Sequence, residues 1–514
     1  MGYTTPFCFL TQPMPGNDDR RVRLSKSRFM AGIQCLKRLY LQVRQPELAA
    51  PRDETVQATL QQGQEVGELA RTAFPDGVLI EASRTRLTYA LEQTQQLLAD
   101  PGIQAVFEGT FKQDNVLVRT DILARRPHGE WRLIEVKSST AVKEHHPFDV
   151  GIQQYVLSNS GLKPTPCLMH LNRDYVYNGR EYELSKLFTI EEMETEVGKF
   201  LEDIPQLVHQ QRVVLSQSKP PAIAPGPQCK DPVRCEFYDY CNKPLPDDHV
   251  SLLPGITAAR VNQLAAMGIT SIHDIPEDFP LSDRQRRACR CVQTQTPYFS
   301  EGLREAIGGL SYPLFFMDFE TLNPAIPRFA GMRPYDPIPF QWSVHKRSAP
   351  CGQTEHYEFL AQDSRDPRLS FLTSLLNIIG QEGHVIVYNR GFESQRMLEL
   401  ARWLPDYADR IGGVRARLWD LLDVVRRNVY HPDFRGSFSL KQVLPALIPD
   451  MSYEEMDVSE GEEAGLAWER MVRGQVSEKE KLRLRKALLE YCSQDTLAMV
   501  RLLDFLSETS PGSS

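Results

Sequence analysis

The sequence predicts an α/β protein built as two units with a small helical segment between them. Three observations carry that expectation. The chain has 514 residues, which at roughly 100–200 residues per domain divides into about three. Apolar runs short enough for buried strands alternate with helical periodicity over residues 21–217 and again from Tyr312 onward, the pattern of α/β architecture. Between these stretches lies KPPAIAPGPQC, residues 219–229, where prolines remove backbone donors and fix φ, so regular structure is excluded. The expected division is a flexible tail at 1–20, a first unit at 21–247, a linker at 248–306 and a second unit at 307–508.

Each element has its own signal. Residues 1–20 are polar and aperiodic, the composition of a loose tail. Helices are expected over Glu54–Ala73, Leu87–Leu98 and Ile190–Gln211. Residues 250–300 read as two short helices around a Gly turn, followed by the basic stretch SDRQRRACR. The second unit opens with the buried-strand run PLFFMDFE and closes with a helix from Glu478 to Leu506.

Composition narrows the function. Against 67 Asp and Glu stand 59 Lys and Arg, a net charge of -8. A uniformly basic nucleic-acid coat is excluded, and any polyanion partner must be met by local basic patches. No apolar run approaches the roughly 18 residues of a membrane helix, and the N-terminus lacks the basic-then-apolar order of a signal peptide, so a cytoplasmic location without membrane partners is expected. Ten cysteines are too few for a disulfide scaffold of this length, and in a reducing compartment the group Cys229, Cys235 and Cys241 reads as metal ligands.

A first candidate site lies in FEGTFKQDNVLVRTDILARRPHGEWRLIEVK, residues 107–137. Asp121 is expected to end the strand VLVRTD, and after a turn Glu135 and Lys137, two apart on the next strand, share a face. Converging carboxylates can hold a divalent metal, and a neighbouring lysine can position water or stabilise a phosphate. A helix carrying Gln153 follows. In this order Asp121, Glu135-Val136-Lys137 and Gln153 resemble the motifs of the PD-(D/E)xK nucleases of the RecB type, including the iron–sulfur nucleases of CRISPR adaptation, over roughly residues 21–245. The resemblance implies a restriction-endonuclease-like fold and metal-dependent DNA cleavage, with Asp121 and Glu135 as metal ligands. One departure stands out: the family's Gly-x-x-x-His motif is represented by Gly63 followed by Gly67, which leaves Glu65, Glu68 or Glu108 as weak substitutes and a binding-only site as the alternative.

Three cysteines fall one short of the four ligands of a structural zinc or a cluster. The same resemblance implies that Cys35 supplies the fourth, so that Cys35, Cys229, Cys235 and Cys241 hold a [4Fe–4S] cluster, with zinc as the alternative. Lys26, Arg28, Lys37 and Arg38 flank Cys35 without an intervening acid and could face phosphates. In the linker, Leu253-Pro254-Gly255-Ile256 resembles the turn of helix–hairpin–helix modules, which imply backbone contact to DNA through Gly255. Arg284, Arg286, Arg287 and Arg290 lie close by in sequence.

The second unit holds another carboxylate set. Asp318 and Glu320 are two apart on one apolar strand, and burying both is costly without a cation. HVIVYNRGFE brings Asn389 and Glu393 to a strand–helix junction, and Tyr491 and Asp495, four apart, share a helix face. This series resembles the DnaQ-like DEDD exonucleases of the ribonuclease H fold, over about residues 312–507. The resemblance implies two divalent ions, Mg²⁺ or Mn²⁺, on Asp318, Glu320, Glu393 and Asp495, with Tyr491 orienting the attacking water. Glu393 stands where the family usually has Asp, and Asp420 is the alternative. Ser439 and Lys441 are expected at the substrate, and Tyr335, Phe340 and Gln341 are candidates for stacking on or contacting a nucleotide.

Taken whole, the chain resembles an uncharacterised bacterial family that fuses a RecB-like nuclease to a DnaQ-like exonuclease. The expected function is a two-site nuclease with 3′–5′ exonuclease activity, acting on DNA with a free or single-stranded end in repair or defence. The alternatives are a nucleic-acid-binding scaffold with one active exonuclease, and an RNA exonuclease.

Overall fold

The computed structural model describes residues 23–509 apart from 52–53, 82–85, 243–245, 452, 454–455, 457, 459 and 475. The tail expected at 1–20 lies outside the described residues. The fold is mixed α/β.

The first sheet has seven strands: β1 (Leu24–Ser25), β2 (Gly77–Leu79), β3 (Ala105–Gln113), β4 (Val116–Arg125), β5 (Trp131–Lys137), β6 (Thr165–Leu171) and β7 (Phe188–Glu192). They run in the order β2-β3-β4-β5-β6-β7, with β1 set beside β4. Strands β3 and β4 form a hairpin through Asp114 and Asn115, both at positive φ (49° and 57°), the backbone that Asp and Asn tolerate in tight turns. Helix His146–Asn159 crosses from β5 to the parallel β6 and buries Val150, Ile152, Val156 and Leu157 against Val118, Leu133 and Leu168.

A small pair joins β8 (Tyr298–Phe299), before the second sheet, to β14 (Val429–Tyr430), after it. That sheet comprises β9 (Leu314–Leu322), β10 (Ile338–Arg347), β11 (Thr354–Leu360), β12 (His384–Val387) and β13 (Leu418–Asp420), in the order β11-β10-β9-β12-β13. Alternation on the central β9 decides the faces. Phe315, Met317 and Phe319 pack with Phe371 and Leu375 of helix Arg368–Ile379. Leu314, Phe316 and Leu322 pack the other way, with Leu484, Leu488 and Tyr491 of helix Glu478–Thr509. Asp318 and Glu320 fall on this second face.

The linker shares that core: Val250, Leu253, Leu264 and Ile272 cluster with Leu314 and Phe316. Its basic stretch is helix Asp283–Thr294, closed by a capping box in which Ser282 and Gln285 bond each other's backbone.

Two expectations need correction. Residues 190–211 are not one helix: Ile190–Glu192 belong to edge strand β7, a short helix Glu194–Gly198 follows, and helix Ile204–Ser216 starts afresh. Pro205 sits in the first turn of that last helix, where it lacks no needed donor but cannot continue a helix from behind. Strand β4 runs on past Asp121 to Arg125, because ILAR pairs with β5 through Ile122–Ile134 to Arg125–Trp131.

The two units meet along the segment between β9 and β10. Ala325 is buried in one cluster with Val66, Phe107 and Leu187 of the first unit, and its N–H donates to the Gln62 side-chain oxygen at 3.0 Å. Tyr177 and residues 331–332 exchange backbone hydrogen bonds of 2.8 and 2.9 Å.

Candidate functional site

In the first unit the β4–β5 ladder ends at Ile122–Ile134. Beyond it the Val136 N–H turns to the Asp121 carboxylate, at 2.8 Å. Glu135 and Lys137 point from β5 toward helix His146–Asn159, where Gln153 donates to Glu135 Oε2 at 2.8 Å. Lys137 donates to Glu135 at 2.8 Å and pairs with Asp149, one turn before Gln153. Lys26, from helix Lys26–Gln34, donates to both Glu135 oxygens at 2.8 Å. The expected Asp121, Glu135, Lys137 and Gln153 are thus together. Sequence reading placed Lys26 among surface phosphate contacts and passed over Asp149, although the Asp149–Gln153 spacing of four was its signal.

Charge in this site is largely compensated. Burial and the neighbouring Glu135 lift Asp121 to about 7 despite the two lysines. Burial would raise Glu135 as well, but the ammonium groups of Lys137 and Lys26 outweigh it and hold that carboxyl far below its usual range. At Gly67, where the family has histidine, a Cβ would meet nothing within 4 Å. Of the proposed substitutes, Glu65 pairs with Arg473 at 3.3 Å and Glu68 faces solvent, while Glu108 lies across from Asp121 in the β3–β4 register and 3.9 Å from Arg71.

Cys35, Cys229, Cys235 and Cys241 line one small pocket with Lys37, Arg38 and Phe237. Cys35 lies between helices Lys26–Gln34 and Leu36–Arg44, ending one and starting the other. Burial pushes the Cys235 thiol up to about 11, opposed by the Phe237 backbone N–H, and raises Cys241, opposed by Lys37.

Three of the other basic candidates make backbone contacts within the chain. Arg28 donates to the Arg23 carbonyl and Arg286 to that of Leu281. Arg287 donates to the Arg427 carbonyl at 2.5 Å and lies over the Tyr298 ring. Gly255 does take a positive φ, 64°, in its turn.

In the second unit three elements converge. Asp318 and Glu320 come from β9, Glu393 from the first turn of helix Arg390–Trp403, and Tyr491 and Asp495 from helix Glu478–Thr509. Burial, then Asp495, Glu320 and Glu393, push Asp318 well above the usual carboxylate range. Burial and Asp495 lift Glu320 to about 8, and burial lifts Glu393 to about 8. Glu393 is 2% exposed, and its Oε2 has no hydrogen-bond partner. Asp420, the alternative to Glu393, accepts from the backbone N–H groups of Asn389, Arg390, Leu422 and Asp423, so it caps two helix starts. The structure therefore separates them: Asp420 fixes the junction, and Glu393 carries the unpaired oxygen.

Tyr453 and Cys492 escaped sequence reading, whereas Lys441 was expected here. The Tyr453 hydroxyl donates to Asp495 Oδ1 at 2.7 Å, and Lys441 lies against the rings of Tyr453 and Tyr491, 3.3 Å from the Tyr491 hydroxyl. Cys492 is fully buried beside Asp318. Tyr453 lies in an aperiodic stretch with no pattern to read, whereas Cys492 sits next to Tyr491. Of the nucleotide-contact candidates, Phe340 is core, stacked on Trp468 at 4.7 Å, and Gln341 is buried with its amide on the Leu488 carbonyl. Their strand, β10, runs through the middle of the sheet, which draws both side chains inward. Tyr335 alone stays 37% exposed.

One orphaned carboxylate oxygen, with carboxylates held above their usual range by burial and each other, is the electrostatic condition that a cation relieves. Donor atoms of Asp318, Glu320 and Cys492 lie within 4.8 Å of one another. The stretch bearing this junction matches a family described as a domain of unknown function. The match, to the DUF2779 domain, covers residues 315–439. The DUF2779 stretch spans β9 through the Asp420 junction and stops before Tyr491 and Asp495. The chain is also similar to the uncharacterized protein UU173 of Ureaplasma parvum serovar 3, with 22% identity over 213 residues. That match covers 38% of this chain and 31% of the Ureaplasma protein, so the chain spans about a third of its relative's length. Among the described residues no helix is long and apolar enough to cross a membrane.

Proposed function

We propose that the chain is a metal-dependent nuclease. In this reading a DnaQ-like, RNase H-type 3′–5′ exonuclease site in the second unit is joined to a RecB-like, PD-(D/E)xK site in the first. The substrate is DNA with a free or single-stranded end, met in repair or defence. The observation that carries the reading is the convergence of Asp318, Glu320, Glu393 and Asp495 from three elements into one buried place, with more negative charge than Lys441 offsets.

These four carboxylates would hold Mg²⁺ or Mn²⁺, which supply Lewis acidity and lower the pKa of bound water. The chain's own groups do the rest. Tyr453 holds Asp495 in place through its 2.7 Å hydrogen bond. The Tyr491 hydroxyl, beside the Lys441 ammonium, orients the attacking water, and Lys441 faces the phosphate. Tyr335, with its exposed ring, is the remaining candidate for stacking on a base.

Cys35, Cys229, Cys235 and Cys241 would hold a [4Fe–4S] cluster. Their side chains line one pocket, and donors aimed at sulfur from Phe237 and Lys37 suit a thiolate-held group, with zinc the alternative.

A second reading for the first unit is favoured by Lys26. Its ammonium occupies both Glu135 oxygens, the position a divalent ion would need, and the family histidine is replaced by Gly67. On this reading the first site binds nucleic acid without cutting it.

The deciding experiment uses Asp121→Ala and Asp318→Ala, singly and together, on 3′- and 5′-labelled DNA and RNA with Mg²⁺ or Mn²⁺. Iron and zinc are measured on the same anaerobically purified protein. The expected result is a brown protein whose 3′ trimming disappears with Asp318→Ala. Trimming left intact by Asp318→Ala would overturn the assignment. Cutting that survives Asp318→Ala and is lost on adding Asp121→Ala identifies an active first site. RNA is assayed because carboxylate-held ions act on the phosphodiester and are indifferent to the sugar.

A further inference from the structure

The carboxylate site of the second unit contains a thiol that the proposed hydrolysis does not use. Cys492 follows Tyr491 and precedes Asp495 on helix Glu478–Thr509. It is fully buried, with Sγ 3.8 Å from the Asp318 backbone carbonyl and 4.0 Å from Asp318 Oδ2. Sγ, one Asp318 oxygen and one Glu320 oxygen all lie within 4.8 Å of one another. Glu393, 2% exposed, acts electrostatically on Asp318 from helix Arg390–Trp403, and its Oε2 has no hydrogen-bond partner.

Hard and soft ions read this donor set differently. Mg²⁺ takes oxygen ligands at about 2.0–2.1 Å in an octahedron and gains little from sulfur. Zn²⁺ takes sulfur at about 2.3 Å and carboxylate oxygen at about 2.0–2.2 Å in a tetrahedron, which sets its donors roughly 3.3–3.8 Å apart. Two carboxylates and a thiol, already within 4.8 Å, need to close by no more than about 1.5 Å. Divalent affinity for a mixed N, O or S site rises toward zinc and copper in any case.

We propose that Asp318, Glu320 and Cys492 form a site for a thiophilic divalent cation, Zn²⁺ in the first instance, with Glu393 as the fourth donor. Binding forms one metal–sulfur bond, releases the thiol proton to solvent and frees water from the ion, with no change of oxidation state. Because the site shares Asp318 and Glu320 with the hard-ion site, zinc excludes Mg²⁺. This consequence rests on the proposed nuclease function; the binding does not.

The test titrates full-length, cluster-loaded protein with Cd²⁺ and follows the ultraviolet metal–thiolate absorption. Wild type, Cys492→Ser and Asp318→Asn are compared, with circular dichroism verifying the fold. The proposal expects one thiolate equivalent to vanish in Cys492→Ser. It also expects a tenfold or greater loss of Cd²⁺ affinity in Asp318→Asn, which keeps the thiol and so reports even if the cysteine variant does not fold. Identical titrations for wild type and the folded variants would overturn it. In parallel, the Zn²⁺ concentration that halves each protein's own Mg²⁺-supported trimming should rise at least tenfold in Cys492→Ser. Lost absorption with no trimming in any protein would sink the nuclease reading and leave the metal site standing. Trimming with unchanged absorption would do the reverse.

Discussion

Lys26 and Lys137 share two carboxylates, Glu135 and Asp149, in a site that is closed to solvent on most sides. Removing one cation leaves a buried carboxylate short of a partner, a defect that costs about 3–5 kcal/mol when a pair is fully buried and less where water reaches it. Lys26→Ala is therefore expected to destabilise the chain by about 2–3 kcal/mol in urea unfolding, given the 21% exposure of its side chain. If the first site takes a divalent ion, millimolar Mg²⁺ restores part of that loss, whereas a binding-only site shows no rescue. At the other site Tyr453 donates to Asp495, and a hydrogen bond to an ionised group contributes about 1.5–3 kcal/mol. Tyr453→Phe should slow trimming about tenfold or more while leaving the far-ultraviolet spectrum unchanged; an unaltered rate would remove Tyr453 from the machinery. The raised carboxyls also set a pH dependence. Burial holds Glu320 and Glu393 protonated in the folded, metal-free chain to about 8, while unfolded carboxyls release their protons near 4. Between pH 7 and 8 the folded state binds more protons than the unfolded one, so stability falls as pH rises, on the order of 1 kcal/mol per pH unit. His345, lowered to about 4 by burial, is neutral in the folded state while about a quarter of it is still charged at pH 7 when unfolded, so it adds only a small slope of opposite sign. Urea midpoints in a chelator should therefore drop from pH 7 to 8, and Mg²⁺ should flatten the drop. A midpoint that rises across this window in chelator contradicts the account.

At the scale of elements, legibility followed periodicity. The alternation of FFMDFE put Asp318 and Glu320 on one face of one strand, and β9 has that form because Phe315, Met317 and Phe319 fill one core while Leu314 and Phe316 fill another. The spacing of Tyr491 and Asp495 was equally plain, since a 32-residue amphipathic helix leaves little choice of face. What periodicity could not disclose was an element whose class is decided by its neighbours. Ile190–Glu192 look helical in isolation and become a strand because β6 offers them an edge. Nor could it show that the linker is part of the second core, which depends on backbone approach. Gly436, at φ 79°, brings its Cα against the Leu252 carbonyl, and a Cβ there would stand 1.9 Å from that oxygen. Both the clash and the positive φ weigh against any side chain. Gly436→Ala is expected to cost roughly 2–4 kcal/mol and to expose the linker to proteolysis before the sheets. Unchanged protection of residues 248–306 would mean that the linker adapts without loss.

For the molecule as a whole, the segment between β9 and β10 matters most, and its role was invisible in sequence. In sequence it offered only Tyr335 as a candidate for stacking on a nucleotide. In the structure it joins the two units: Ala325 is 2% exposed in the first unit's core, the Tyr182 hydroxyl donates to the Pro327 carbonyl, and the Tyr335 hydroxyl reaches the Ser138 carbonyl at 2.9 Å. Ser138 directly follows Lys137 of one candidate site, and the segment starts three residues after Glu320 of the other. Tyr335 holds a positive φ of 64° to make that contact, a backbone strain a non-glycine residue sustains only where its surroundings fix it. Salt bridges from Arg470 to Glu54 and from Arg473 to Glu65 run along the same seam, but they are partly exposed and contribute little. Apolar burial and backbone pairing therefore hold the units together, and unfolding should be a single thermal transition by calorimetry. Ala325→Arg forces an unpaired cation into that shared core. It should split the transition in two and, by loosening the segment that β9 runs into, weaken Cd²⁺ binding at Asp318 and Glu320. One unsplit transition in that variant would show that the seam does not couple the units, and the two carboxylate sites would then have to be treated as independent.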